Sequence, residues 1–459
     1  MKRTLLMLLL VDLILSACAP ASAPISTSTS SATPLPTATT APTNTAVPTA
    51  TPTPIPFIQV GDLTVPDPRV TNPELFDLRN PDAPIPQFVN AMKNGGIDVS
   101  AEQIAQGITY VSTKADGAPL IDKDGNPFVV AVYNLDPFLF PENYRDLAGP
   151  IPLMIAEKGE NEEFKWKNPK QYELFNLAGI RYLGALIENG EFPNMIQQFN
   201  LQLFSTVFRS NSAELENSDE TTYRLRVGQE NNIPHGYITG ELCGLEDSSN
   251  LSQEELTNLI QKRMTPINPR QIPVFIVTNE THEGNFSDRR LRLCYEIATS
   301  NKPPDGKLIF SDTDNHYSSG MWTQYTKERL KVVKDLVDIV GVQAHVAQWD
   351  WQIPKLPTNN DIASTLKSFG KPVWVMEFDV SDKYLPGNSQ QRLLEQSKIA
   401  YMHILGFLQS EVVKAINLWS IPEYQGTPNK GKTPFDFQGR PKLFFYAMNK
   451  AVLDYLLLK

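Results

Sequence analysis

Short apolar runs rich in β-branched and aromatic residues alternate with amphipathic stretches of helical period through the last two-thirds of the chain. This alternation is typical of repeated βα units around a parallel sheet. The predicted strands are residues 179–187, 199–208, 233–239, 272–280, 307–312, 339–346, 371–378 and 413–420. The predicted helices are residues 252–263, 289–299, 326–337, 361–368 and 390–408. Eight strands with helices between them predict an α/β fold, a (β/α)8 TIM barrel over residues 169–459.

The segment before the barrel does not share this rhythm. A turn signal at residues 122–126 precedes a strand at residues 127–133, which predicts a hairpin. The Asp-x-Asp-Gly pattern in the turn resembles part of a calcium loop, but the other loop ligands are missing, so a plain turn is expected. We interpret residues 57–168 as an accessory region or an elaborated N-terminal cap.

The first residues have the pattern of an export signal. Lys2 and Arg3 precede an apolar stretch, residues 5–15, that leads into Leu15-Ser16-Ala17-Cys18. These four residues resemble a bacterial lipobox, which implies cleavage before Cys18 and lipidation of its thiol. The apolar stretch is too short to cross a hydrocarbon core of roughly 30 Å. We therefore expect an exported lipoprotein, bound to the extracellular face of the membrane through its N-terminal lipid.

Residues 19–56 consist almost entirely of Thr, Pro, Ser and Ala. Such a segment buries too little apolar surface to offset the entropy of ordering it. Proline keeps such a chain extended. We predict a disordered linker that separates the folded part from the membrane.

Charge and cysteine content exclude several classes of partner. The net charge of −10 and the isoelectric point of about 5.2 argue against nucleic acid, which requires clustered cations. Besides Cys18 the chain has only Cys243 and Cys294, without the paired spacing of zinc ligands. Two separate buried thiols are favoured, and a single bridge between them is the alternative. No metal or organic cofactor is indicated.

Two predicted strands end in a carboxylate, Glu280 after Val277-Thr278-Asn279 and Glu377 after Trp374-Val375-Met376. In a barrel of this kind the carboxyl ends of the strands form the active site. Cleavage of a glycosidic bond needs two carboxyl groups, one to protonate the leaving oxygen and one to attack or to activate water. A structural carboxylate is the alternative for either residue.

Five segments in order resemble glycoside hydrolase family 10. Residues 275–280 resemble the acid/base strand of that family, and residues 373–379 resemble its nucleophile strand. Between them, residues 341–345 (Gly-Val-Gln-Ala-His) match the sixth strand. Trp419 matches the aromatic residue of the eighth strand, and residues 434–442 are similar to the closing segment before the last helix.

The resemblance covers about residues 172–459 and implies a retaining, endo-acting hydrolase of β-1,4-xylan or a related polysaccharide. Glu280 is then the acid/base, protonated at working pH, and Glu377 the ionised nucleophile, assisted by a hydrogen bond from His345. The remaining residues that the resemblance places at the substrate are Asn279, Gln343, His345, Trp419, His235 and Asp312.

Several landmarks of the family are absent. The second strand lacks the usual Glu-Asn pair, the third offers only His235, and the fifth has Ser311-Asp312 in place of Asn-Asp. The distal sugar contacts are therefore expected to differ, with Glu241, Asp312 and Asp314 as replacement acceptors. Trp349 and Trp351 either stack on sugars or pack on the barrel rim, and Glu283 is a weaker candidate for the acid.

Two other functions are compatible with parts of the sequence. A non-catalytic carbohydrate-binding protein would explain the lost contacts on the second and third strands. A lipid-anchored solute-binding protein would share the lipobox and the linker, but would have two α/β lobes joined by a hinge. For His345 and Gln343, the alternative to a role at the substrate is that they only satisfy hydrogen bonds in the core.

Overall fold

The computed structural model describes residues 56–122, 124–159, 163–167, 171–186, 203–205, 235–236, 242–244, 251–264, 273–282, 286–349, 352, 356–419 and 431–459. The predicted signal peptide, Cys18 and all but the last residue of the linker lie outside the described residues. Within these ranges, no helix combines the length and apolar character that spanning a membrane would require.

An N-terminal region with two antiparallel sheets precedes the barrel. Its strands are β1 Phe57–Val60, β2 Leu63–Pro66, β3 Ile108–Val111, β4 Phe128–Leu135, β5 Gly149–Lys158 and β6 Phe164–Lys167. Strands β1 and β2 form a hairpin, and β3 to β6 form a four-stranded sheet in chain order. The α-helices are α1 Pro68–Thr71, α2 Pro84–Asn94 and α3 Ala101–Gln106, with 3-10 helices at Pro73–Phe76, Pro137–Leu139 and Glu142–Leu147.

The turn predicted before β4 is present. The Asp122 amide donates to the Asn126 carbonyl at 2.9 Å. Its carboxylate oxygen Oδ1 accepts from the amides of Asp124 at 2.9 Å and Asn126 at 2.8 Å. Asp122 thus closes the loop on itself, which explains the Asp-rich pattern without a calcium ion.

The eight predicted strands of the barrel are also present, in shorter or slightly shifted form. They are β7 Tyr182–Leu186, β8 Leu203–Ser205, β9 His235–Gly236, β10 Val274–Thr278, β11 Lys307–Thr313, β12 Ile339–Val346, β13 Val373–Val380 and β14 Val413–Leu418. The described helices around them are α4 Gln171–Leu177, α5 Gln253–Met264, α6 Asp288–Asn301, α7 Thr323–Val333, α8 Asn359–Ser368, α9 Ser389–Gln409 and α10 Leu443–Leu458.

All neighbouring strands of this sheet are parallel, and their order follows the chain, with β14 pairing back onto β7. At the remaining edge, the amides of Leu242 and Cys243 donate to the carbonyls of Ile276 and Val277 on β10, at 2.9 and 3.0 Å. The segment that follows β9 therefore lies along β10. This arrangement confirms the (β/α)8 barrel and excludes the two-lobed fold of a solute-binding protein.

Apolar side chains fill the amino-terminal part of the barrel interior. They come from β10 to β14 and are Val274, Ile276, Ile309, Ile339, Trp374, Met376 and Ala415, with Tyr182 packed against them. Alternate residues of the same strands, such as Phe310 and Ile416, belong to the outer core instead. This alternation is the period of two that places successive side chains on opposite faces of a strand.

The four-stranded sheet is buried on both faces. Val130 and Ile155 pack into the large core of the barrel, whereas Val129 and Ala131 face a second core that contains Phe88. Helix α10 contributes to both cores. Residues 57–167 therefore form a cap that shares its interior with the barrel, which favours the second of the two interpretations made from the sequence.

Cys243 and Cys294 are joined in a disulfide, with their Cα atoms 6.1 Å apart. The prediction of two separate buried thiols was therefore wrong, and the alternative of a single bridge is confirmed. The cause is tertiary: the hydrogen bonds of Leu242 and Cys243 to β10 bring Cys243 beside α6, which carries Cys294. Nothing in the spacing of the two cysteines indicated this contact.

Because the cap and the barrel share one core, the substitution Ile155→Ala is expected to destabilise both together. We expect a loss of about 2 to 4 kcal/mol in the free energy of unfolding, the usual cost of truncating a buried isoleucine. Urea unfolding followed by both circular dichroism and tryptophan fluorescence tests this, with exposed Lys165→Ala on β6 as the control. If one signal showed a separate unfolding transition at lower urea concentration, the cap and the barrel would not share one core.

Candidate active site

The predicted site residues gather at one end of the barrel, because the carboxyl ends of parallel strands lie together. Strands β10, β12, β13 and β14 bring Asn279 and Glu280, Gln343 and His345, Glu377, and Trp419 to this end. The interior becomes polar toward it, since buried Ser311 and Asn417 follow the apolar residues of β11 and β14.

Side chains of β12 contact both segments that carry the glutamates. Its residues Gln343 and His345 are two positions apart and project from the same face. Nε2 of Gln343 donates to Oδ1 of Asn279 at 3.1 Å, next to Glu280. Nε2 of His345 contacts Oε2 of Glu377 at 2.8 Å. Strand β12 therefore holds Asn279, the residue before Glu280, and also holds Glu377.

An irregularity in the pairing of β12 with β13 aims Glu377 at the site. Val342 pairs with Val375, but Gln343 pairs with Glu377, so Met376 is an additional residue on β13. Met376 packs into the apolar barrel interior. The bulge lets the next residue, Glu377, reach His345 as well. Bulges of this kind commonly re-aim a side chain beside an active site.

The second ring nitrogen of His345 is held by a buried carboxylate. Nδ1 of His345 contacts Oδ2 of Asp379 at 3.1 Å, and Asp379 is only 1% exposed. Nε2 of Gln348 donates to both carboxylate oxygens of Asp379 at 3.2 Å. Nζ of Lys432 lies 4.0 Å from the same carboxylate. The imidazole of His345 is therefore fixed at both nitrogens.

These contacts determine the charge of His345. Burial alone would lower its pKa, but the charge and hydrogen bond of Asp379, followed by those of Glu377, outweigh burial and raise the pKa to about 10. At neutral pH the ring is therefore a cation, with an N–H toward each carboxylate. Its hydrogen bond to Glu377 is charge-assisted, which makes it shorter and stronger than a neutral one.

Glu280 has an unusual backbone conformation. Its φ is 48°, in the left-handed region that side chains with a Cβ atom rarely adopt. Asp314 and Ala347, which follow the next two strands, have φ values of 43° and 55°. Each such residue costs on the order of 1 to 3 kcal/mol and persists only where its surroundings hold it. The chain thus leaves three consecutive strands through left-handed residues.

Asp312 does not contact the substrate site in the way the sequence suggested. Its side chain is fully buried, and Oδ1 accepts from Nδ1 of His282 at 2.7 Å and from the Thr313 amide at 3.0 Å. Oδ2 accepts from the hydroxyls of Thr281 and Thr326, both at 3.3 Å. Phe310 of the same strand belongs to the outer core, so Asp312 lies on the outward face, where it supports the segment after Glu280.

Asp314 was also proposed as a replacement acceptor for sugar hydroxyls, and the structure uses it differently. It is 3% exposed, and its carboxylate accepts from the Tyr317 hydroxyl at 2.9 Å and the Met321 amide at 2.9 Å. Its partners order the loop between β11 and α7. A carboxylate engaged in this way is a structural element of the loop.

The aromatic candidates have two different environments. The indole of Trp419 meets the His345 ring edge-on, with centroids 5.3 Å apart, which places it within the site. Trp349 lies in the loop after β12 and is 42% exposed. Its role as a sugar platform stays a prediction. The side chain of His235, together with Trp351, Glu241 and Glu283, lies outside the described residues.

Sequence reasoning missed several residues that hold the site. Asp379 could have been identified, because it lies two residues after Glu377 on the same strand, the spacing already used to pair Gln343 with His345. The roles of Gln348, His282 and Tyr325 had no sequence signal. Each reaches the site from a loop or helix whose position depends on the tertiary fold.

Known proteins of similar sequence and structure share the barrel fold of this chain. The model of glycosyl hydrolase family 10 matches residues 252–451. Xylanase 10B from Thermotoga maritima is 16% identical with a TM-score of 0.51, over 63% of this chain and 100% of that chain. Endo-1,4-beta-xylanase XylE from Penicillium canescens is 16% identical with a TM-score of 0.50, over 62% and 98%. No curated protein matches the chain. The structural similarity at this identity shows the fold.

The raised pKa of His345 predicts a pH dependence of stability. The ion pairs with Asp379 and Glu377 contribute fully below pH 6.5, the ordinary value, and their contribution is lost as the pH rises through about 10. We expect the stability difference between the wild type and His345→Gln to shrink over this window. Urea unfolding of both proteins at pH 6.5 and near pH 10 measures it. An equal difference at both pH values would contradict the charged state of His345.

Proposed function

We propose that this chain is a member of glycosyl hydrolase family 10, whose model matches residues 252–451, and that it cleaves β-1,4-xylan or a related polysaccharide with retention of anomeric configuration. Glu280 is the acid/base and Glu377 the nucleophile. The proposal rests on one face of β12, from which Gln343 binds Asn279 beside Glu280 and His345 binds Glu377. This arrangement serves two carboxyl groups that act on one bond.

The contacts of Glu377 suit a nucleophile. A retaining enzyme needs a carboxylate that attacks the anomeric carbon and leaves again when water hydrolyses the glycosyl-enzyme. The charge-assisted hydrogen bond from His345 leaves one oxygen of Glu377 engaged and the other available for attack. Asp379 keeps His345 in place through both steps, since it binds the far side of the ring.

Asn279 is oriented to bind the substrate. Its Oδ1 accepts from Gln343, so its Nδ2 group faces away from that bond. Among the described residues, Nδ2 of Asn279 donates no hydrogen bond, so it is available to a sugar hydroxyl. A hydrogen bond to the 2-hydroxyl that strengthens in the transition state contributes to glycosidase catalysis.

Two observations favour xylan as the substrate. The two solved structures with the same fold are named as xylanases. Trp419 offers a flat face beside His345 on which a sugar ring can stack. The second and third strands carry the largest departures from the family, so we expect the distal contacts that distinguish xylan from other β-1,4-glycans to differ from those of the family.

Substitution of either glutamate is expected to abolish hydrolysis. Glu280→Gln should lower kcat by about 10²- to 10⁴-fold, the usual contribution of general acid–base catalysis. Glu377→Gln should lose at least as much, because no covalent intermediate forms. Reducing-sugar release from xylan, mixed-linkage glucan and cellulose measures both, and NMR of the first product reports its anomeric configuration.

Exposed Glu328→Gln on α7 serves as the matched control and should behave like the wild type. Wild-type protein that binds these glycans but releases no sugar would instead identify a carbohydrate-binding protein. An inverted product would refute the nucleophile role of Glu377 while leaving the hydrolase assignment intact.

We also propose that the protein is exported and anchored through a lipid on Cys18. The signal pattern of residues 1–18 and the linker of residues 19–56 support this location. The disulfide between Cys243 and Cys294 adds support, because such bonds persist mainly in oxidising compartments outside the cytosol. An extended linker would let the barrel reach an insoluble polysaccharide from the membrane surface.

Cys18→Ala is expected to abolish the anchor without affecting the barrel. In a bacterial host the wild type should incorporate labelled fatty acid and partition into detergent, whereas the variant should do neither. Reducing-sugar release by the variant should equal that of the wild type. Incorporation of label by Cys18→Ala, or its absence from the wild type, would refute the lipid anchor.

A further inference from the structure

The segment that follows Glu280 is held by a group of residues from β11 and α7. Thr281 is fully buried, its hydroxyl donates to Asp312 at 3.3 Å, and its carbonyl accepts from the hydroxyl of Tyr325 at 2.7 Å. His282 donates to the other oxygen of Asp312 at 2.7 Å. We call Thr281, His282, Asp312 and Tyr325 the Asp312 cluster.

Helix α7 forms a rigid support behind this cluster. The His282 ring stacks on Trp322, with centroids 4.1 Å apart, and Trp322 meets Tyr325 at 5.9 Å. One turn further along the helix, Arg329 donates to the Phe286 carbonyl at 2.7 Å. The two residues after Glu280 are therefore fixed through side chains, main chain and ring stacking to one helix.

These contacts lie directly after Glu280, whose backbone has a left-handed conformation. A left-handed residue reverts to an ordinary conformation unless its neighbours prevent it. On the strand side Asn279 is held by Gln343, and on the other side Asp312 and Tyr325 hold the two residues that follow Glu280. Glu280 lies between two anchored segments, so the direction of its side chain is set by both.

We propose that Tyr325, Thr281, Asp312 and His282 are positioning residues for the acid/base Glu280: they hold its left-handed backbone and aim its carboxyl group at the leaving oxygen. This inference rests on the proposed function. General acid catalysis requires the carboxyl group within hydrogen-bonding distance of the oxygen that it protonates. None of the four residues needs to contact the sugar to have this effect.

The test compares substrates that do and do not need an acid. Tyr325→Phe removes the hydroxyl that holds Thr281 but keeps the ring, and Thr281→Val removes the other hydroxyl at nearly constant shape. Tyr401→Phe is the matched control, because its hydroxyl donates to Asp454 at 2.8 Å between α9 and α10, away from the site. The value of kcat/KM is measured on phenyl and dinitrophenyl glycosides of the sugar in the polysaccharide that the wild type cleaves.

We expect both cluster variants to lose about tenfold in kcat/KM on the phenyl glycoside, since even a displacement of about 1 Å can cost about a hundredfold. On the dinitrophenyl glycoside, whose leaving group needs no proton, they should stay near the wild type. Tyr401→Phe should match the wild type on both. Equal losses on both glycosides, or none on either, would overturn the positioning role.

A second measurement does not depend on activity. Hydrogen–deuterium exchange of the amides at residues 280–282 should be faster in Tyr325→Phe and Thr281→Val than in Tyr401→Phe, because the segment loses an anchor. If the wild type cleaves no substrate, the proposed function fails while faster exchange still supports the cluster. Unchanged exchange at these amides would overturn the proposal whatever the activity.

Discussion

The protonated His345 between Glu377 and Asp379 is the interaction on which the architecture of the site depends. Two carboxylates this close and this buried would repel each other and lose their hydration, a combination that is tolerated only with a compensating cation. The ring supplies that cation and an N–H in each direction. The bulge at Met376 brings Glu377 to this arrangement, and Gln348 and Lys432 approach Asp379 on its other side. Removing His345 would leave both buried carboxylates without the cation between them.

The two glutamates are held by different physical means. Glu377 is positioned through an ion pair within the sheet, whereas Glu280 is positioned through its main chain, between an anchored asparagine and an anchored threonine. Strand β12 lies between them and contributes a side chain to each arrangement. In the mechanism that we propose, the electrostatic contact would fix Glu377 for attack on the anomeric carbon. The anchored main chain would fix Glu280 for protonation of the leaving oxygen.

The fold was largely predictable from the sequence, because eight apolar runs of strand length alternate with helical stretches, and this period is a property of local sequence. The strand ends were predictable for the same reason. Gln343 and His345 were identified through the resemblance to glycoside hydrolase family 10, and the period of two added that they share one face. Asp312 was misjudged, since the period of two places it on the same outward face as Phe310, where the Thr326 hydroxyl of α7 donates to it. The disulfide and Tyr325 were unpredictable, because both depend on contacts between segments far apart in sequence.

The position of helix α10 has a consequence for how the chain acquires its structure. This helix packs against the barrel on one side and against the sheet of β3 to β6 on the other, and both cores include its side chains. The sheet is synthesised before the barrel and α10 after it. Until α10 arrives, the sheet has an uncovered apolar face that is prone to aggregation. The cap therefore completes its packing only when the last helix of the chain has been synthesised.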